Sequence, residues 1–158
     1  MTRFALVHVL LAAFTLASQV SVFAQGPLSP KTNAKIRWTE SIPTAMKQHM
    51  DTGRPLLVYV TADYCGYCRK MERDTWSDPK VAWRIQEGFV ALKVDAKKQA
   101  DLVKRLEIDG LPATLLFDSE GRLIQRLSGY SRPAAVNELL DSVPAVAPAS
   151  SGMVATPK

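Results

Sequence analysis

Side chains that bind metals or form disulfides are scarce in this chain, which holds two cysteines, Cys65 and Cys68, and two histidines. Two thiolates with no nearby imidazole make at most half of a tetrahedral zinc shell, so a metal site would need a second copy to complete it. A run of Lys and Arg interleaved with aromatics is also missing. The net charge of +5 is spread along the sequence, which leaves nucleic-acid binding without support. Arg69-Lys70 and Lys97-Lys98 read as solvated positions. The longest apolar run, Phe4 to Ala17, has 14 residues, short of the roughly 18 that suit a membrane span. There are no internal repeats.

What is present begins with an export signal. Arg3 supplies a positive start, Phe4 to Ala17 an apolar centre, and Val22-Phe23-Ala24 a small-x-Ala cleavage site before Gln25. Residues 1–24 are therefore expected to be a signal peptide, and the mature chain to be exported to a bacterial periplasm. Residues 25–35, with Gly26, Pro27 and Pro30, read as a flexible lead-in. Residues 142–158 are dominated by Pro, Ala, Ser and Gly without apolar periodicity, and are expected to be a disordered tail. Between them, residues 36–141 form one domain with an apolar fraction sufficient for a core.

Within that domain Ile36-Arg37-Trp38 reads as a short edge strand. Thr39 or Ser41 then caps a helix to about Asp51, with Pro43 in its first turn. Ile42, Ala45, Met46 and Met50 fall on its inner face, and His49 is expected at the surface without a role. The apolar, β-branched Leu56–Thr61 reads as a buried strand. After it come a helix containing Arg69 to Thr75, a helix from Lys80 to Gln86 capped by Ser77 or Asp78, and a strand from Phe89 to Asp95. Val81 and Ile85 point inward. A short helix, Ala100 to Leu106, precedes strand Ala113 to Phe117, a turn at Ser119-Glu120-Gly121 and strand Arg122 to Leu127. Ser131-Arg132-Pro133 opens a last helix through Leu140. This order implies an α/β fold with a mixed central sheet and helices on both faces. Trp38, Trp76 and Trp83 read as core or lid residues.

The chemistry-bearing stretch is Ala62-Asp63-Tyr64-Cys65-Gly66-Tyr67-Cys68. A strand that ends, a short loop and a Cys-x-x-Cys opening a helix is the setting of a redox-active dithiol. In an oxidising compartment such a pair can serve as a staple, but a bridge across two intervening residues removes little unfolded-state entropy. Chemistry explains the pair better. Cys65 stands at the mouth of the helix, where unpaired N–H groups and the dipole favour a thiolate, so its pKa should fall below about 8.5. Cys65 is expected to attack and Cys68, one turn further in, to resolve.

The blocks Ala62-Asp63-Tyr64-Cys65, Thr75-Trp76-Ser77-Asp78-Pro79-Lys80-Val81, Gly110-Leu111-Pro112 and Ser128-Gly129-Tyr130 stand in an order that resembles the thioredoxin family. The likeness is strongest to the C-terminal thioredoxin-like domain of DsbD and to small exported thioredoxin-like proteins. It implies the thioredoxin fold, a cis bond at Pro112, and a Leu111 backbone beside the dithiol that pairs with an extended substrate. It also implies a thiol–disulfide oxidoreductase that reduces protein disulfides, needs no cofactor beyond a Cys65–Cys68 disulfide, and draws electrons from an upstream thiol donor such as a DsbD-like membrane protein. A monomer is expected. Tyr64, Gly66, Tyr67, Leu111 and Pro112 are the expected substrate-binding residues.

One departure stands out. The buried carboxylate that thioredoxins carry six residues before the first cysteine is here Tyr59. With a pKa near about 10, a tyrosine is no base at neutral pH. Glu72, four residues after Cys68 on the same helix face, is the proton-transfer candidate, and Asp63 in the approach loop reads as solvated. Disulfide oxidase or isomerase activity, and a non-catalytic thioredoxin-like interaction module, stand as the alternatives.

Overall fold

Leu56–Thr61 is buried at all six positions, because this strand, β1, is covered on both faces and flanked on both edges. The computed structural model describes residues 34–143. The expected signal peptide, nearly all of the lead-in and nearly all of the tail lie outside them. The element order is α1 (Ile42–Thr52), β1 (Leu56–Thr61), α2 (Gly66–Asp74), α3 (Pro79–Gly88), β2 (Val90–Asp95), α4 (Ala100–Arg105), β3 (Ala113–Phe117), β4 (Leu123–Ser128) and α5 (Pro133–Asp141). The strands are ordered β2-β1-β3-β4, with β1 parallel to β2 and the other neighbours antiparallel. A parallel neighbour needs a crossover, which α2 and α3 supply; the short turn at Asp118–Arg122 suffices for the antiparallel hairpin.

Alternate residues of β1 enter different cores, as a strand with period two requires. Leu57 and Tyr59 pack with Met71, Val81, Ile85, Leu116, Val136 and Leu139, which places α2, α3 and α5 on that face. Leu56, Val58 and Val60 pack with Ala45, Leu92, Val94 and Leu115, with Ile42 of α1, Leu102 of α4 and Leu106 just after α4 against them. Helix starts follow the sequence: Ser41 caps α1 through Thr44 N–H, and the Asp78 carboxylate caps α3 through Lys80 and Val81 N–H with Pro79 following.

Three expectations are corrected. Ile36-Arg37-Trp38 forms no strand; only Thr39 bridges to β2, through Thr39 N to Ala91 O and Lys93 N to Thr39 O. Ser41 starts α1 two residues later, so the chain leaves the sheet edge at once. His49 is 3 % exposed rather than at the surface. Its Nδ1 lies 2.7 Å from the Arg54 carbonyl, which can only accept, so Nδ1 carries the proton. Met46 and Met50, expected inside, are 37 % and 70 % exposed: the inner stripe of α1 runs Ile42, Ala45, His49, and the imidazole fills the apolar slot because it can satisfy a carbonyl at the α1–β1 turn.

Candidate active site

β1 ends at Thr61, and Ala62–Tyr64 turn the chain into α2, with Cys65 N–H on the Ala62 carbonyl and Arg69 Nη1 donating to the Asp63 carbonyl. The turn makes Cys65 the N-cap of α2, its Sγ accepting the Cys68 N–H at 3.0 Å. A cysteine in this place does the work of a serine or aspartate cap, with sulfur facing the positive end of the helix. Cys65 and Cys68 are joined as a disulfide, with their Cα atoms 5.2 Å apart. The two are unequal: Cys65 is 9 % exposed and Cys68 1 %. An incoming sulfur therefore meets Cys65 first.

The loop before β3 closes the site. Leu111 packs against Ala62, Cys65 and Cys68; the Leu111–Pro112 peptide is cis, and the Pro112 carbonyl accepts the Gly129 N–H at 2.7 Å. Gly129 has a φ of +79°, a conformation that glycine adopts without penalty. Gly66 opens α2 between the cysteines. Tyr64 and Tyr67 stand out on either side, 74 % and 67 % exposed. Tyr130, in the loop between β4 and α5, donates to Asp74 at 3.2 Å and lies under Lys70, tying α2 to that loop. Asp63 is exposed.

Beneath the dithiol lies Tyr59, fully buried, with its ring against Trp38 and Trp76. Burial pushes its pKa above the usual 10.0, and the nearby Glu72 carboxylate adds to the rise. Its hydroxyl donates to the Cys68 carbonyl at 3.2 Å. Glu72 is bonded to Lys93, Oε1 to Nζ 2.8 Å, both side chains half-buried. The pair borders a polar cleft of about 310 Å³ that reaches Thr61, Asp63 and Arg69, and a second of about 430 Å³ that reaches Trp38 and Trp76. Water thus reaches the carboxylate from two sides. A further cleft of about 780 Å³, between the starts of α1 and β2, includes neither cysteine. Among the described residues no cluster of His, Cys, Asp and Glu has the makings of a metal site.

Tyr64 and Cys65 thus end the loop after β1, Gly66, Tyr67 and Cys68 form the first turn of α2, and the Leu111-Pro112 loop adjoins them. Glu72 keeps its place one turn along α2, bonded to Lys93. Sequence reasoning missed Lys93, although a lysine in the otherwise apolar Phe89–Val94 run was a visible signal. It also missed the Tyr59–Cys68 bond, for which no local signal exists.

The family model of the thioredoxin-like domain matches residues 42–144. Curated relatives include the thiol:disulfide interchange protein DsbD of Yersinia pestis, 33 % identical over 100 residues that make up 60 % of this chain and 17 % of that one. The protein of the same name from Ralstonia nicotianae is 32 % identical over 102 residues, 62 % of this chain and 17 % of that one. The chain thus spans about a sixth of the length of these relatives. Among solved structures, a Thermus thermophilus thioredoxin aligns with a TM-score of 0.61 and 26 % identity, over 68 % of this chain and 85 % of that one. A structure titled DsbH oxidoreductase aligns at 0.60 and 19 % identity, over 75 % and 91 %, a likeness of fold. With its mixed four-stranded sheet, its Cys-x-x-Cys at the start of α2 and Leu111 packed against the cluster that holds both cysteines, the chain belongs to the thioredoxin-like domain family.

Proposed function

We propose that this protein is an exported thiol–disulfide oxidoreductase that reduces protein disulfides through Cys65 and Cys68. The observation that carries the reading is the asymmetry of the pair: the outer sulfur caps a helix and accepts an N–H, while the inner one is sealed. The Cys68 N–H and the helix dipole favour the Cys65 thiolate. That thiolate attacks a substrate disulfide, and one substrate sulfur leaves as a thiolate. Cys68 then attacks Cys65 Sγ, releasing the second substrate thiol and leaving the Cys65–Cys68 disulfide.

Glu72 takes the proton that Cys68 gives up, since it shares the α2 face with Cys68 and opens to water through the clefts beside Lys93. Tyr59, with its raised pKa, has no part in that transfer. Tyr64 and Tyr67 offer apolar contact, and the chain at Gly66 and at Leu111-Pro112 borders the path of an extended substrate. The reductive direction, the periplasmic setting and an upstream thiol donor of DsbD type follow from the resemblance to the DsbD domain and from the signal-like residues 1–24. No helix among the described residues is long and apolar enough to cross a membrane.

Two measurements test this. Cys68→Ser should accumulate a mixed disulfide with a client, and Cys65→Ser should accumulate none; like behaviour of the two would refute the assignment. Equilibration against glutathione should give a potential near that of thioredoxin, about −270 mV, and a value near about −120 mV would make the protein an oxidant instead.

A further inference from the structure

Tyr59 lies at the centre of the sheet, paired with Lys93 of β2 on one side and Thr114 of β3 on the other. Its ring is held by two tryptophans, with centroids 5.6 Å away at Trp38 and 5.1 Å away at Trp76. The ring has one polar atom, and that atom donates to the Cys68 carbonyl. The N–H of the same residue donates to Cys65 Sγ. The backbone of Cys68 is thus held at both ends, by the nucleophile's sulfur and by a hydroxyl fixed in the core.

We propose that Tyr59 is a positioning residue for Cys68, keeping the resolving sulfur within reach of Cys65 as the mixed disulfide forms. The inference rests on the dithiol-exchange reading above and adds a residue to it. In the step concerned the Cys68 thiolate attacks Cys65 Sγ and the Cys65–Cys68 bond forms. The bond from Cys65 to the substrate sulfur breaks, and its electron pair leaves with the substrate thiolate, which takes a proton from water. No further oxidant or reductant enters. The rate of such a closure depends on how well the two sulfurs are held together before reaction. A cysteine side chain is short, so its sulfur is only as well placed as its backbone. While the mixed disulfide exists, no Cys65–Cys68 bond holds the two side chains together, and the Tyr59 hydroxyl anchors the Cys68 backbone to a strand paired on both edges. The titratable group acting on that hydroxyl is Glu72 from α2, itself bonded to Lys93 of β2. Burial keeps the phenol protonated, so it donates throughout the reaction and exchanges no proton with it.

The test is Tyr59→Phe, which removes one oxygen and keeps the ring between the tryptophans; unchanged circular dichroism checks the fold. Equilibration with reduced and oxidised glutathione gives the effective concentration of Cys68 toward Cys65, and quenched-flow gives the closing rate. Both should fall about fivefold, the factor expected from one lost hydrogen bond, while the first attack on oxidised glutathione changes by less than about twofold. The pH midpoint of closing should not move. An unchanged effective concentration, an equal slowing of both steps, or a shifted midpoint would each overturn the proposal. Should Tyr59→Phe fail to fold, Tyr59→Met carries the same expectation. Effective concentration is a property of the pair even if no protein substrate is reduced. A wild-type chain that fails to reduce insulin thus counts against the dithiol-exchange reading, and an unchanged value in Tyr59→Phe counts against this one.

Discussion

Glu72 and Lys93 show how a side chain acquires chemistry from neighbours distant in sequence. In isolation Glu72 is one of two acids on a largely solvated helix. Its hydrogen bond to Lys93, from a strand 21 residues away, orients the carboxylate on the same helix face as Cys68 and leaves it open to water. Removing the base while keeping the shape, Glu72→Gln should slow closing of the mixed disulfide near neutral pH by roughly tenfold, below the usual range for a lost general base because water also reaches the site. Stopped-flow rates across pH check this; a profile identical to wild type would exclude Glu72 from proton transfer. His49 illustrates the same point away from the site, since one carbonyl at the end of α1 turns an expected surface residue into a core one.

Among the elements, the β3–β4 hairpin depends most visibly on a single carboxylate. Asp118 is buried at the turn and accepts the N–H groups of Glu120 and Arg122 at 3.0 and 2.9 Å and the Arg122 guanidinium at 2.7 Å. Burial pushes its carboxyl up, but the Arg122 backbone and guanidinium outweigh this and the net pKa lies below the usual 3.8. A depressed acid stabilises the fold above its unfolded pKa, and the contribution disappears as pH falls through the lower folded value. Amide exchange in Arg122–Ser128 should therefore accelerate, relative to β1, as pH falls below about 4. Asp118→Asn should remove most of that dependence, and an unaltered profile in the variant would show that the turn is held by other groups. The helix α2 is governed from its other end by Cys65, so the cap of that helix and its nucleophile are one atom.

For the whole molecule, stability comes from two cores divided by β1. Ile85 is fully buried in the core that also contains Tyr59 and Met71. Ile85→Ala should cost about 2–5 kcal/mol, read as a lower denaturant midpoint with an unchanged slope. A loss under about 1 kcal/mol would mean that the α3 face of the sheet collapses around the gap.

The nine elements and the dithiol were legible in the sequence because each rests on rules that act within a few residues: the apolar run of β1, the Pro79 and Pro133 starts, the Cys-x-x-Cys spacing. The false strand at Ile36–Trp38 had the right composition, but pairing depends on the space left at the edge of β2. The same local rules placed Leu111-Pro112 before the hairpin. Only the tertiary structure decided what stands behind Cys68. The Tyr59 hydroxyl, nine residues earlier, and the Lys93–Glu72 pair, 21 residues apart, meet there because packing the helices onto the sheet sets distances that no local pattern encodes.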